Sequence, residues 1–181
     1  MPTKTILLLV LAAIALLLAL LLLYATTRPD YFRVTRSAVI KAPAAKIFSL
    51  INDLRSFNNW NPYAKKEPGL KGSYSGPASG VGAAYAWEGK KVGSGRMEIT
   101  AADAPNKLTM RLDFLKPFKA QNTAEFILLP QGDKLTVVTW AMHGPSRYLS
   151  KVMGVVIDID SMVGKDFEAG LANLKALTEG R

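Results

Sequence analysis

The sequence has no cysteine, a single histidine and few acids: 14 Asp and Glu against 23 Lys and Arg, a net charge of +9 at pH 7. Without cysteine there is no disulfide framework, no thiolate nucleophile, no iron–sulfur cluster and no thiol redox chemistry. Zinc sites draw three or four ligands mainly from Cys and His, so a zinc finger is excluded and no metal is expected. One histidine leaves little room for His-based acid–base machinery. The positive charge comes with no basic helix and no RNP-like aromatic motif, which argues against nucleic acid as a partner. Gly80-Val81-Gly82 and Gly93-Ser94-Gly95 lack the third glycine and the following helix of a dinucleotide fingerprint. They read as strand turns, and no cofactor is expected. Disorder is excluded, because 49% of the 181 residues are hydrophobic.

What the chain does have begins with a long apolar run. From Ile6 to Ala25, 20 consecutive residues carry no charge and no strongly polar group. As a helix this run spans about 30 Å, the hydrocarbon thickness of a bilayer, with Tyr24 placed for the interface. A cleaved signal peptide is the alternative, but its apolar core would be shorter, and Tyr24-Ala25-Thr26 is a poor cleavage site. A buried soluble helix would carry a polar stripe, and none exists. Residues 1–27 are therefore expected to form an N-terminal transmembrane anchor, and residues 28–181 one folded domain. Arg28, Arg33, Arg36, Lys41 and Lys46 follow the run, which by the positive-inside rule would keep the domain in the cytoplasm. A short head bearing Lys4 before a long apolar run also has the form of an export signal. The reading adopted is a single-pass inner (cytoplasmic) membrane protein with an extracytoplasmic domain. The charge is uneven, net +6 from Arg28 to Lys71 and net +2 from Gly72 to Arg181. That excess either attracts anionic headgroups, at about 1 kcal/mol per close basic residue, or is an ordinary solvated surface.

After the anchor, Tyr31–Ile40 reads as a strand, stopped by Lys41-Ala42-Pro43. Ala44–Asp53 has Ile47, Phe48, Leu50, Ile51 and Leu54 at helical spacing. Arg55–Tyr63 is turn-rich and aromatic, with room for a second short helix. Gly69–Gly82 holds five Gly, one Pro and three Ser and reads as loop. Strands are expected at 83–88, 95–101, 107–115, 119–129 and 134–143. The third alternates cleanly: Leu108, Met110, Leu112 and Phe114 on one face, Lys107, Thr109, Arg111 and Asp113 on the other. That is a strand of an antiparallel sheet with one wet face. No βαβ alternation is present.

Ser146 to about Thr178 reads as one long helix, with Pro145 before it and Gly180 after it. Its apolar stripe is Leu149, Val152, Met153, Val156, Val163, Phe167, Leu171 and Leu174. Asp160 falls within that stripe, unless Gly154 and Gly164 bend the helix. A carboxylate facing an interior space must find a partner or keep its proton.

A strand, two small helices, an antiparallel meander and a long C-terminal helix make an α+β helix-grip pattern, the sheet curved around the helix. The sequence resembles the SRPBCC or START-like superfamily, in its polyketide cyclase/dehydrase branch. The resemblance is carried by Ser37-Ala38-Val39-Ile40-Lys41-Ala42-Pro43 with the helix after it, and by Trp60-Asn61-Pro62. Tyr74-Ser75-Gly76-Pro77, Trp87-Glu88-Gly89 and Asn122-Thr123-Ala124-Glu125-Phe126 add to it. Gly164-Lys165-Asp166-Phe167-Glu168 and Gly170-Leu171-Ala172-Asn173-Leu174-Lys175 close it. The match runs from about Tyr31 to Glu179, and the Gly-Lys-Asp-Phe-Glu stretch looks like that of a membrane-anchored subgroup. The resemblance implies a cavity between sheet and helix for a hydrophobic small molecule or lipid. It transfers no catalytic motif.

The candidate cavity residues are Trp60, Trp87, Met97, Met110, Phe114, Asn122, Trp140, Met153 and Asp160. Asn122 is placed inward because it shares a face with Ala124 and Phe126. Met142 and Met162 join Met97, Met110 and Met153 as adaptable apolar side chains that suit either a pocket or ordinary packing. Asp160 and His143 are the only acid–base candidates. This thin set favours a membrane-tethered binding module over the alternative, a cyclase or hydratase acting in the same cavity. The sequence names no protein partner.

Overall fold

The computed structural model describes residues 3–180, apart from the side chain of Val156. Residues 1, 2 and 181, at the ends of the expected anchor and domain, and the Val156 position of the expected stripe lie outside the described residues. The chain forms two compact units, residues 3–32 with 145–159, and residues 33–144 with 160–180.

In the first unit the apolar run is a helix, α1 (Thr3–Thr26), long and apolar enough to cross a bilayer. A signal sequence near an N-terminus can meet the same criterion of length and apolar composition. The unit also contains α5 (Tyr148–Val156). Tyr148 Oη donates to Leu22 O at 3.1 Å, Arg28 Nη2 to Gly154 O at 3.4 Å and Lys151 Nζ to Asp30 Oδ1 at 2.6 Å.

Most of a seven-stranded antiparallel sheet lies in the second unit. Its strands are β1 (Tyr31–Ile40), β2 (Lys71–Ser75), β3 (Ala84–Glu88), β4 (Ser94–Asp103), β5 (Lys107–Lys116), β6 (Ala120–Pro130) and β7 (Thr136–Pro145), in the order β1-β7-β6-β5-β4-β3-β2. Between β1 and β2 come α2 (Ala44–Asn52), α3 (Leu54–Trp60) and α4 (Pro62–Lys66), and α6 (Ile159–Glu179) closes the unit. The short helices start where the sequence supplies caps. Asp53 accepts from the Arg55 N–H at 2.8 Å to open α3, and Asn61 accepts from the Tyr63 N–H at 3.2 Å to open α4, with Pro62 at the first position.

Two expectations are corrected. The expected long helix is two helices: Ile157 takes an extended backbone (φ −111°, ψ 122°) while its N–H still bonds Met153 O at 2.8 Å. Gly154 followed by β-branched Val155, Val156 and Ile157 is a run of weak helix formers, so the break falls there. The expected loop at 69–82 contains β2, an edge strand whose five residues are all exposed. Gly72 makes it possible, because any Cβ there would overlap the Tyr85 ring lying across it. Tyr74 packs beside that ring at 4.7 Å between centroids, and the Arg55 guanidinium sits 4.2 Å over the Tyr74 ring.

The candidate cavity

Strand alternation builds one wall. The register aligns side chains of one face in rows across the sheet: Tyr85–Met97–Leu112, Trp87–Gly95–Phe114 and Met110–Ala124–Met142. Each row contains a small residue or a flexible one, and the unfilled space is a cavity of about 390 Å³. Gly95 matters most. A Cβ there would lie 2.6 Å from Trp87 Cζ2, so its absence lets the indole lie flat across β4 and meet Phe114 edge-on at 5.9 Å. From α6, Met162, Val163 and Phe167 form the facing wall, and Phe57 of α3 closes one end.

Part of the lining is an aromatic cluster. Trp140 stacks on Phe167 with ring centroids 4.1 Å apart and 8° between planes, and Phe126 lies 5.0 Å from it. Gly170 admits the indole, since a Cβ there would lie 2.6 Å from Trp140 Cζ3 and 3.0 Å from Pro62 Cδ. The benzo edge of Trp140 is therefore pressed on α6, and its N–H edge is turned away from that helix. Trp140 lines the cavity and is 4% exposed, yet its Nε1 has no hydrogen-bond partner among the described residues.

Among the polar side chains of the lining, which include Asn58, Asn61 and Lys91, three form one group. Lys66 Nζ lies 2.6 and 2.7 Å from the two Asp166 oxygens and 5.0 Å from the centroid of the Tyr63 ring. Burial pushes the Tyr63 phenol well above its ordinary pKa, and the neighbouring Asp166 carboxylate pushes it the same way. Tyr63 is thus a protonated donor at any physiological pH, and Lys66 and Asp166 form an ion pair beside it. A second charged device holds the wall from behind. The Glu67 carboxylate accepts from the N–H groups of Lys90, Lys91 and Val92 at 2.7, 2.9 and 3.1 Å, which fixes the β3–β4 turn where Lys91 and Val92 line the cavity.

Those three bonds hold the Glu67 carboxyl below its ordinary pKa. A carboxyl with a depressed folded pKa adds stability that is present above its unfolded value and lost as pH falls through the folded one. Glu67→Gln is therefore expected to speed hydrogen exchange at Lys90, Lys91 and Val92 at neutral pH, and wild type should approach the variant's rates in acid. Equal rates in both proteins at neutral pH would show that the turn is held by other contacts.

Of the residues expected from sequence, Trp87, Met97, Met110, Phe114 and Trp140 line the cavity. Trp60 does not. It is buried behind Trp140 at 5.7 Å, its Nε1 donating to Leu50 O at 3.2 Å. Asn122 is buried on the cavity face of β6 but outside the lining, in room left by Gly144, whose missing Cβ would overlap its Oδ1. Met153 belongs to α5 of the first unit, so it is not among the lining residues.

Neither acid–base candidate reaches the cavity. Asp160 keeps its place in line with Val163 and Phe167, but it sits in the first turn of α6, where the neighbour is Arg36 of β1. Arg36 Nη2 donates to Asp160 Oδ2 at 2.9 Å and its Nε to Glu168 Oε1 at 2.8 Å, passing over Gly164, where any side chain would block it. The guanidinium holds the Asp160 carboxyl below its ordinary pKa, the reverse of the rise expected in a pocket, and the side chain is 59% exposed. His143 follows Met142 on β7 and so points to the opposite face. There its Nε2 lies 3.2 Å from Glu125 Oε2, in a cluster with Lys107 and Arg33. Tyr63, Lys66 and Asp166 escaped the sequence reading. The signal was present only in part: Asp166 stands in the Gly-Lys-Asp-Phe-Glu stretch next to Phe167, but 100 residues separate it from Lys66.

An antiparallel sheet with helices on one face and a cavity between them is the helix-grip architecture, and solved structures share it. A hypothetical protein from Helicobacter pylori matches with TM-score 0.63 at 11% identity, over 84% of this chain and 90% of that one. A Thermobifida fusca protein matches with TM-score 0.60 at 19% identity, over 81% and 92%. The ginseng (Panax ginseng) major latex-like protein 151 matches with TM-score 0.58 at 12% identity, over 83% and 99%. At these identities the likeness is one of fold. No curated protein matches the sequence. Residues 31–179 match the model of the family described as polyketide cyclase / dehydrase and lipid transport, and the chain belongs to that family.

Proposed function

We propose that this chain is a membrane-anchored binding module for an elongated amphiphile, held with its apolar body against the sheet and its polar end near Tyr63, Lys66 and Asp166. The observation that carries this reading is the cavity itself. Its about 390 Å³ lies within the range of small-molecule pockets, roughly 300–1,000 Å³, and its lining is mostly aromatic, aliphatic and thioether, with few polar side chains. Methionine walls accommodate varied apolar shapes. The unpartnered Trp140 N–H adds a donor for one oxygen of the guest, since a buried donor left unpaired costs about 1–3 kcal/mol.

The anchor in this reading is α1. Two features favour a retained span over a cleaved signal: the length of the run and the poor cleavage site at Tyr24-Ala25-Thr26. We place the domain outside the inner (cytoplasmic) membrane, because the run has the form of an export signal.

One preparation tests both parts. The full-length protein is expected to stay in the pellet through an alkaline carbonate wash, and native mass spectrometry of the detergent extract should find a lipid or apolar molecule bound. A mature N-terminus near Thr26 would defeat the anchor. Protein without any bound amphiphile, even after incubation with total lipid extract, would defeat the binding reading.

A second reading, a cyclase or hydratase on an apolar substrate, is favoured by one observation, the phenol of Tyr63 and the carboxylate of Asp166 in the cavity wall. A buried phenol that keeps its proton can donate a hydrogen bond to a substrate oxygen on which charge builds up. Asp166→Asn separates the two readings. In a binding module it changes which head groups are retained. In an enzyme it abolishes turnover with the guest still bound.

A further inference from the structure

The helix α5 is short and carries no acid in its sequence, and its large apolar side chains are turned out. Leu149 and Met153 are four residues apart and share one face of α5, and Ile157, the residue that ends the helix, follows four further on with its N–H bonded to Met153 O. They are 57%, 36% and 42% exposed, and Tyr148 beside them is 50% exposed. A soluble surface seldom leaves such a stripe uncovered. The position of α5 within its unit says what covers it. Its first residue is bonded to α1 at Leu22, four residues before α1 ends, or about 6 Å along the helix axis. Its last turn is tied by Arg28, just past the apolar run, to Gly154 O. Lys151, on the side away from the stripe, is 10% exposed and paired with Asp30. Thus α5 lies beside the end of α1, where a span leaves the hydrocarbon. Tyr148 sits at that level, as interfacial aromatic residues do.

We propose that α5 is an interfacial helix lying in the headgroup layer of the bilayer that α1 spans, with Leu149, Met153 and Ile157 inserted at the acyl boundary. This rests on the anchor reading of α1. The consequence is a second point of membrane contact within the first unit, beside the end of α1. Arg147, at the start of α5, and Arg28 face the same layer with charges suited to anionic lipid.

The absence of native cysteine makes the test clean. Single variants Leu149→Cys, Met153→Cys and Ile157→Cys of the full chain are spin-labelled in nanodiscs of phosphatidylcholine and phosphatidylglycerol. Collision with oxygen and with a water-soluble nickel chelate then gives the depth of each label, and Leu16→Cys in α1 serves as the reference for the span. The expected result is Leu16 near the bilayer centre and all three α5 labels about 5–10 Å below the headgroup surface. Water-exposed α5 labels with Leu16 deep would overturn the proposal and leave the anchor standing. Water-exposed labels at both places would overturn the anchor as well. Labels shielded from both reagents and broadened by a neighbouring spin would mean that a second copy covers the stripe, which also overturns it.

Discussion

Trp140→Ala is expected to lower the unfolding free energy by about 3–5 kcal/mol, the largest loss from any single truncation in the sheet. The indole is in contact with both layers. It stacks flat on Phe167 of α6, packs against Phe126 on β6, and fills the space left by Gly170. Its removal leaves a void that neither element can close, because β6 and β7 are fixed by their ladder and α6 by Arg36. Urea unfolding of the two proteins, followed by far-ultraviolet circular dichroism, measures the difference. A loss under about 1 kcal/mol would mean that the cluster rearranges, and that the stacked geometry contributes little.

Trp87 should behave differently, although it is the same kind of residue. It is only half-buried and rests on Gly95 rather than in the aromatic cluster of Trp140, Phe126 and Phe167. Trp87→Ala is expected to weaken binding of an apolar fluorescent naphthalene probe about three- to tenfold. That corresponds to the roughly 0.5–1.5 kcal/mol of an aromatic contact, with tenfold equal to about 1.4 kcal/mol. Stability should fall by less than for Trp140→Ala. Titration of both variants with the probe, beside their unfolding curves, reads the contrast. If Trp87→Ala unfolds as readily as Trp140→Ala and the wild type binds no probe, the space is closed packing and the binding reading fails.

The apolar half of the site was legible because strand alternation is a local signal. Once Leu108, Met110, Leu112 and Phe114 are seen to alternate with Lys107, Thr109, Arg111 and Asp113, the inner face of β5 follows, and three of those four apolar residues line the cavity. The polar half was not legible, since it is made by tertiary contact. Nothing local brings Lys66 to Asp166. Asp160 shows a related limit: periodicity gives the angle of a residue around a helix but not what faces that turn, and the first turn of α6 faces Arg36. The break at Ile157–Asp158 could have been suspected from Gly154 and the β-branched run after it. The strand β2 could not, because its Gly- and Ser-rich sequence favours loop and its pairing depends on Tyr85 lying over Gly72.

Of the three tryptophans, Trp87 and Trp140 border the cavity and Trp60 touches Trp140. In the proposed binding module, the emission of this protein is therefore expected to follow what the cavity holds. An incoming guest changes the polarity around two of the indoles, and an accepting oxygen on the Trp140 N–H shifts that indole's spectrum directly. Trp140, 5.7 Å from Trp60, exchanges excitation with it, so a change at the wall is reported by the interior as well. If the binding reading holds, the chain carries its own optical gauge of occupancy, and emission of the unlabelled wild-type protein should shift on titration with a guest.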